Sequence, residues 1–260
     1  MRWREWPRAV TASDALFRAG LAQNAGMAST SDTLLPDTLQ WLPRTGPAQQ
    51  LMLLFHGWCG TAADMAPAAA VLQQAFPQAL LLAPQGFAPA DGDRIGRQWF
   101  SLDGLDGDDE AQRTARVAAA LPALLDWVRR AQEAAGVAPA GTALLGFAQG
   151  AIMSLAVVDE EDGLAGRVLA FSGRYARLPQ RAPRLSTLHL FHGEADPVIP
   201  VALAHQAMTR LAELRADATA DFAQGVGHEL HPALLRCALQ RLTTHIPQRT
   251  WAEAMGAAPG

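Results

Sequence analysis

Short runs of uninterrupted apolar residues recur along this chain, and stretches with helical spacing separate them. Leu51-Met52-Leu53-Leu54-Phe55 is one such run, and Ala79-Leu80-Leu81-Leu82-Ala83 is the next. A strand that is apolar at every position has no solvent face, so it belongs inside a parallel sheet covered on both sides. Residues 63–76 carry Met65, Ala69, Leu72 and Phe76 at helical spacing, and residues 109–135 carry Val117, Leu121, Leu124 and Val128. Further strands are expected at 38–42, 142–147, 167–172, 187–192 and 217–223, with helices at 149–158, 201–214 and 231–245. This alternation predicts the α/β class, with a mostly parallel central sheet and helices on both faces.

A chain of 260 residues has room for one such domain. Its bounds are taken as 33–248, with residues 1–32 as an N-terminal extension and 249–260 as a C-terminal tail. Met27 is either the true start or part of a bland amphipathic appendage; both readings stand. Pro122 lies inside the long helical pattern and is expected to kink it, and Gly136 is placed to cap its end. Residues 85–108 are rich in Gly, Pro and Asp and read as a long loop, of a length that usually serves function.

Charge narrows the function classes. The formal net charge is -4 and the pI about 6.0, so no basic field exists to hold a nucleic acid. All 21 basic residues are arginine, which excludes a lysine nucleophile or Schiff base. No apolar run has the length of a membrane helix or a secretory signal, so stable membrane insertion is not expected. Cys59 and Cys237 are too few for a disulfide framework, read as free thiols, and point to a reducing, cytoplasmic setting. The acidic residues Asp103, Asp106, Asp108, Asp109 and Glu110 precede the long helix. They complement its dipole and lack the ligand pattern of a calcium loop.

The chemistry concentrates in four strand ends. Thr142 to Met153 reads as strand, sharp turn and helix, with Gly146-x-Ala148-x-Gly150 at the turn. This is the G-x-S-x-G elbow with alanine in the serine position, and its glycines allow strand and helix to pack closely. Downstream, a strand ends in His192-Gly193-Glu194-Ala195-Asp196-Pro197, and another in Gly225-Val226-Gly227-His228. Nucleophile, acid and histidine in that order form the activation set for a hydroxyl nucleophile. His56-Gly57-Trp58-Cys59-Gly60 closes an earlier strand where one half of an oxyanion hole belongs. The backbone amides of Trp58 and Gln149 are the expected donors. His56 and His192 read as structural, and Arg97 and Arg174 as loop-fixing. Trp99 and Phe100 are candidates for the substrate pocket, with a core role as the alternative for Trp99. Cys59, Ser101, Ser154 and Ser172 do not sit at an elbow, and none is expected to replace the nucleophile.

From Pro47 to about Gln248 the chain resembles the bacterial phospholipase/carboxylesterase family, the acyl-protein-thioesterase-like α/β-hydrolases, and within it the YpfH-type esterases. The match is carried by Ala48-Gln49-Gln50-Leu51 leading to His56-Gly57, by Gly96-Arg97-Gln98-Trp99-Phe100 and by Gly146 to Met153. Gly173-Arg174-Tyr175-Ala176, His192-Gly193, Asp196-Pro197-Val198-Ile199 and Gly227-His228 extend it. The resemblance implies an α/β-hydrolase fold, small ester or thioester substrates, and neither metal nor cofactor. It maps the family's nucleophile onto Ala148, its acid onto Asp196 and its base onto His228. The departure at Ala148 predicts a chain that is inactive or nearly so, because a methyl group cannot attack a carbonyl. The alternative is a non-catalytic acyl-ligand-binding protein on the same fold.

Overall fold

The computed structural model describes residues 37–105 and 109–255. The expected N-terminal extension, Met27, Asp106 and Asp108 lie outside them. Nine strands are named here in chain order, with the helices between them. β1 (Thr38–Trp41), β2 (Gln50–Phe55), α1 (Ala66–Ala75) and β3 (Ala79–Pro84) come first. A small hairpin of β4 (Ala88–Pro89) and β5 (Arg97–Gln98) follows, then the long α2 (Glu110–Ala135). β6 (Thr142–Phe147), α3 (Gln149–Glu160), β7 (Arg167–Phe171) and β8 (Thr187–Gly193) form the centre. α4 (Val201–Glu213), β9 (Ala218–Ala223), α5 (Pro232–Thr244) and α6 (Gln248–Ala254) complete the described chain.

One seven-stranded sheet has the order β1-β3-β2-β6-β7-β8-β9. β1 runs antiparallel to β3, and the other pairings are parallel. Side-chain alternation within β2 divides the core in two. Leu51, Leu53 and Phe55 face a layer built by α2, α3 and α4, while Met52 and Leu54 face α1 and α5. Phe55, Phe171 and Phe191 are completely buried, each contributing about 1.5–3 kcal/mol by leaving water. Phe171 and Phe191 stack with centroids 4.6 Å apart, fixing β7 against β8 on one face.

Three local expectations meet a different outcome. α2 continues through Pro122 as one helix without a break. Pro122 and Ala118, whose carbonyl loses its partner there, are both exposed, so water can take that carbonyl. Residues 85–108 are not wholly irregular, because β4 and β5 pair inside them. The tail boundary at 248 falls at the start of α6. There the Gln248 amide donates to Asp217 and Arg249 to Thr187, fastening α6 to the N-terminal ends of β8 and β9. Gly136 does cap α2, at φ 63. Asp109 accepts from the Gln112 amide at the other end, as an acidic N-cap should.

That same end of the sheet buries His189. Its Nδ1 lies 2.8 Å from Thr219 Oγ1. Its ring meets His245 edge-on at 5.2 Å. Burial first, then the charge of Arg167, lowers its pKa to about 3. An unfolded histidine binds a proton below about pH 6.5, whereas this one resists until about 3, so stability must fall as pH drops across that window. We expect a loss of about 1–2 kcal/mol between pH 7 and 5 in denaturant melts, with a shallower slope for His189→Gln. An unchanged slope in that variant would contradict the assignment.

Candidate active site

β6 ends at Phe147, and α3 begins at Gln149, leaving Ala148 as the whole turn. Its backbone sits at φ 50, ψ -111, a region that side-chain-bearing residues rarely enter. Close packing enforces it. A β-carbon on Gly146 would stand 2.3 Å from the Gly150 carbonyl oxygen, and one on Gly150 would stand 2.1 Å from that of Phe55. The Ala148 amide donates to Phe171 at 2.9 Å, and the Ala148 carbonyl accepts from Ala151 and Ile152. The corner is therefore bolted to β7 on one side and to the first turn of α3 on the other.

The expected acid and base meet. Nδ1 of His228 lies 2.7 Å from Oδ2 of Asp196, and both side chains are almost fully buried. A carboxylate only accepts, so Nδ1 carries the proton and Nε2 is the basic nitrogen of the neutral ring. Oδ1 of Asp196 accepts from the Val198 and Ile199 amides at 2.8 and 2.9 Å. Burial pushes the Asp196 pKa up. Hydrogen bonds from His192 and His228, the charge of His228 and the Ile199 amide override this, holding it well below the usual carboxylate range. The ring of Phe147, beside the elbow, packs 4.9 Å from the ring of His228. Ala148, Asp196 and His228 thus share the C-terminal ends of β6, β8 and β9.

The loop after β2 lies against the same corner. A β-carbon on Gly57 would be 3.4 Å from that of Ala148. His56 has no exposure and both ring nitrogens engaged: Nδ1 pairs with the Gly57 carbonyl at 2.7 Å, and Nε2 accepts from the Gly86 amide at 2.9 Å. Burial lowers its pKa, which suits this neutral structural role. Gln149, the first residue of α3, presents an amide of the kind a helix leaves without an internal partner, and the dipole there favours negative charge. Its side chain clamps the next loop, accepting from the Trp99 amide at 2.8 Å and donating to the Phe100 carbonyl at 2.7 Å.

Several residues now have a physical place that spacing alone did not give. Trp99 is 2% exposed, packs edge-on to Phe55 and donates its indole N–H to the His56 carbonyl. It braces the loop after β2 from the core, and Phe100 is buried with it. Neither side chain belongs to the narrow recess beside the elbow, which is lined by Gly173, Tyr175 and His192 among others. Arg97 donates to the Gly86 carbonyl and fixes its loop. Cys59 is half-buried with its pKa raised by burial, unlike an activated thiol. Asp91, unremarked in the sequence, is a loop hub. It accepts from Gln98 and from the Leu102 and Asp103 amides, and Gln98 in turn accepts the Trp58 indole N–H. An Asp between two glycine-rich turns was the available signal, but such residues are common in loops.

Residues 42–246 match the phospholipase/carboxylesterase family. The chain is 42% identical over 215 residues to Esterase YpfH of Escherichia coli (strain K12), spanning 82% of this chain and 91% of that protein. Among solved structures it is similar to esterase PE8, with TM-score 0.72 and 28% identity over 80% of this chain and 97% of that one. The Bacillus cereus carboxylesterase shares the fold at TM-score 0.68 and 16% identity, over 80% and 94% of the two chains. Among the described residues no helix is long and apolar enough to cross a membrane.

The elbow geometry makes opposite predictions for two small substitutions. Gly150→Ala must push backbone apart and should lower stability by about 3 kcal/mol or more. Ala148→Gly removes the β-carbon from a strained backbone and should raise stability by about 1 kcal/mol after the entropy cost of glycine. Thermal melts of both variants check this; a destabilised Ala148→Gly would mean that the corner is relaxed.

Proposed function

Because the chain belongs to the phospholipase/carboxylesterase family, we propose that it is a carboxylic-ester hydrolase scaffold silenced at a single atom, the missing hydroxyl of residue 148. The observation that carries this reading is the strained backbone of Ala148 at a glycine-packed corner, with the Asp196–His228 pair assembled beside it. A chain with no use for that corner gains nothing from the strain.

With serine at 148, His228 Nε2 would take the hydroxyl proton as oxygen attacks the ester carbonyl. Asp196 would hold the imidazolium. The amides of Trp58 and Gln149 would receive the oxyanion, and His228 would return the proton to the leaving alcohol or thiol. Water would then release the acyl group by the same route. Alanine has neither a proton to give nor a lone pair to attack with. Loss of the nucleophile in a serine protease costs about 2 × 10⁶ in kcat, so the chain should bind short-chain esters or thioesters without cutting them. A standing role as an acyl-ligand-binding protein is the second reading, favoured by the same intact donors around an inert residue.

Ala148→Ser should gain at least about 10³-fold in hydrolysis of a short-chain p-nitrophenyl ester and become labelled by a fluorophosphonate. The parent should do neither. An inactive, unlabelled serine variant that folds normally would count against the hydrolase reading.

A further inference from the structure

His192 is the group outside the elbow, acid and base with the most direct hold on the site. It sits near the end of β8, four residues before Asp196, and is 2% exposed. Its Nε2 lies 2.7 Å from the Ile199 carbonyl oxygen and 3.3 Å from Oδ2 of Asp196. Both neighbours are acceptors, so Nε2 carries the proton of the neutral ring and shares it between them. The Ile199 amide meanwhile donates to Oδ1. One residue thus bonds both the acid and the second histidine and holds their side chains 3.3 Å apart. The other titratable groups facing His192 are Asp196 itself, His228 across the shared oxygen, and Arg174 and Tyr175 along the recess.

We propose that His192 is a positioning residue for the reaction, a second imidazole donor on Asp196 Oδ2 that fixes the carboxylate and limits the negative charge it presents to His228. This rests on the reading of Asp196 and His228 as acid and base. Oδ2 then receives the His228 N–H at 2.7 Å with the His192 Nε2 a further 3.3 Å contact, and Oδ1 receives two amides. A carboxylate donated to on both oxygens orients its histidine without competing for the proton. Removing one donor concentrates charge on Oδ2 and strengthens its pull on the His228 Nδ1–H.

The first test uses the parent chain, where residue 148 is inert. Nitrogen-15 spectra of the histidine rings should find His192 as the Nε2–H tautomer. In His192→Phe, which keeps a ring but loses the donor, the low-field Nδ1–H signal of His228 should move to lower field. His192→Gln, which can still donate, should bring it back toward the parent position. In the Ala148→Ser background, His192→Phe should lower kcat about tenfold, a part of the ~10²–10⁴ that acid–base catalysis supplies, with KM little changed. The acid limb of its kcat/KM profile should move up by about half a pH unit. An Nδ1–H tautomer for His192 in the parent overturns the proposal even if neither variant folds. So does a His228 signal that stays still or moves to higher field in a folded His192→Phe. If the serine background is inactive while these signals behave as expected, the hydrolase reading fails and the role of His192 on Asp196 stands.

Discussion

The contact between the start of α3 and the end of β2 sets the rest of the site. Gly150 lies so close to the Phe55 carbonyl that no side chain fits between them, and Gly146 meets the Gly150 carbonyl in the same way. Strand and helix can only be joined there by a single residue in a strained conformation, and Ala148 accepts it. The strain is of order 1–3 kcal/mol, well within what the buried faces of β2, β6 and α3 can hold. From that corner the amide of Gln149, the loop carrying Trp58 and the ring of Phe147 all take their positions.

Two polar systems converge on the corner, and they are built differently. The Asp196–His228 side is compact: a buried carboxylate surrounded by N–H donors, with burial opposing its charge and hydrogen bonds winning. The side formed by the loop after β2 is long and distributed. His56, Trp99 and Asp91 each use a side chain to hold someone else's backbone, and Gln98 holds the Trp58 indole, so the loop after β2 cannot drift. Trp99, one of the two aromatics expected at the pocket, donates its indole N–H to this loop from within the core.

The sheet was legible in the sequence because parallel strands covered on both faces leave an apolar run that little else produces. Leu51–Phe55 and Ala79–Ala83 are such runs, and the order Ala148, Asp196, His228 was legible from the motifs at the ends of later strands. Less legible were features decided by contacts far apart in sequence. The hairpin of β4 and β5 is two residues per strand, too short to show a period, and depends on Gly60 pairing with Arg97. Pro122 failed to break its helix because the lost carbonyl partner faces water, a fact that depends on which side of α2 is buried. Trp99 could not be assigned to pocket or core until its indole was seen to bond the His56 carbonyl. α6 was taken for tail because the Asp217 and Thr187 partners that anchor its start lie in distant strands.

The account turns on where an ester sits relative to residue 148. A crystal of the unaltered chain soaked with a slowly hydrolysed short-chain ester addresses this directly. An intact ester should be found, its carbonyl carbon in van der Waals contact with the Ala148 β-carbon and its carbonyl oxygen on the Trp58 and Gln149 amides. An ester bound away from the β6–α3 corner, or one whose carbonyl oxygen faces His228 instead of those amides, would contradict it.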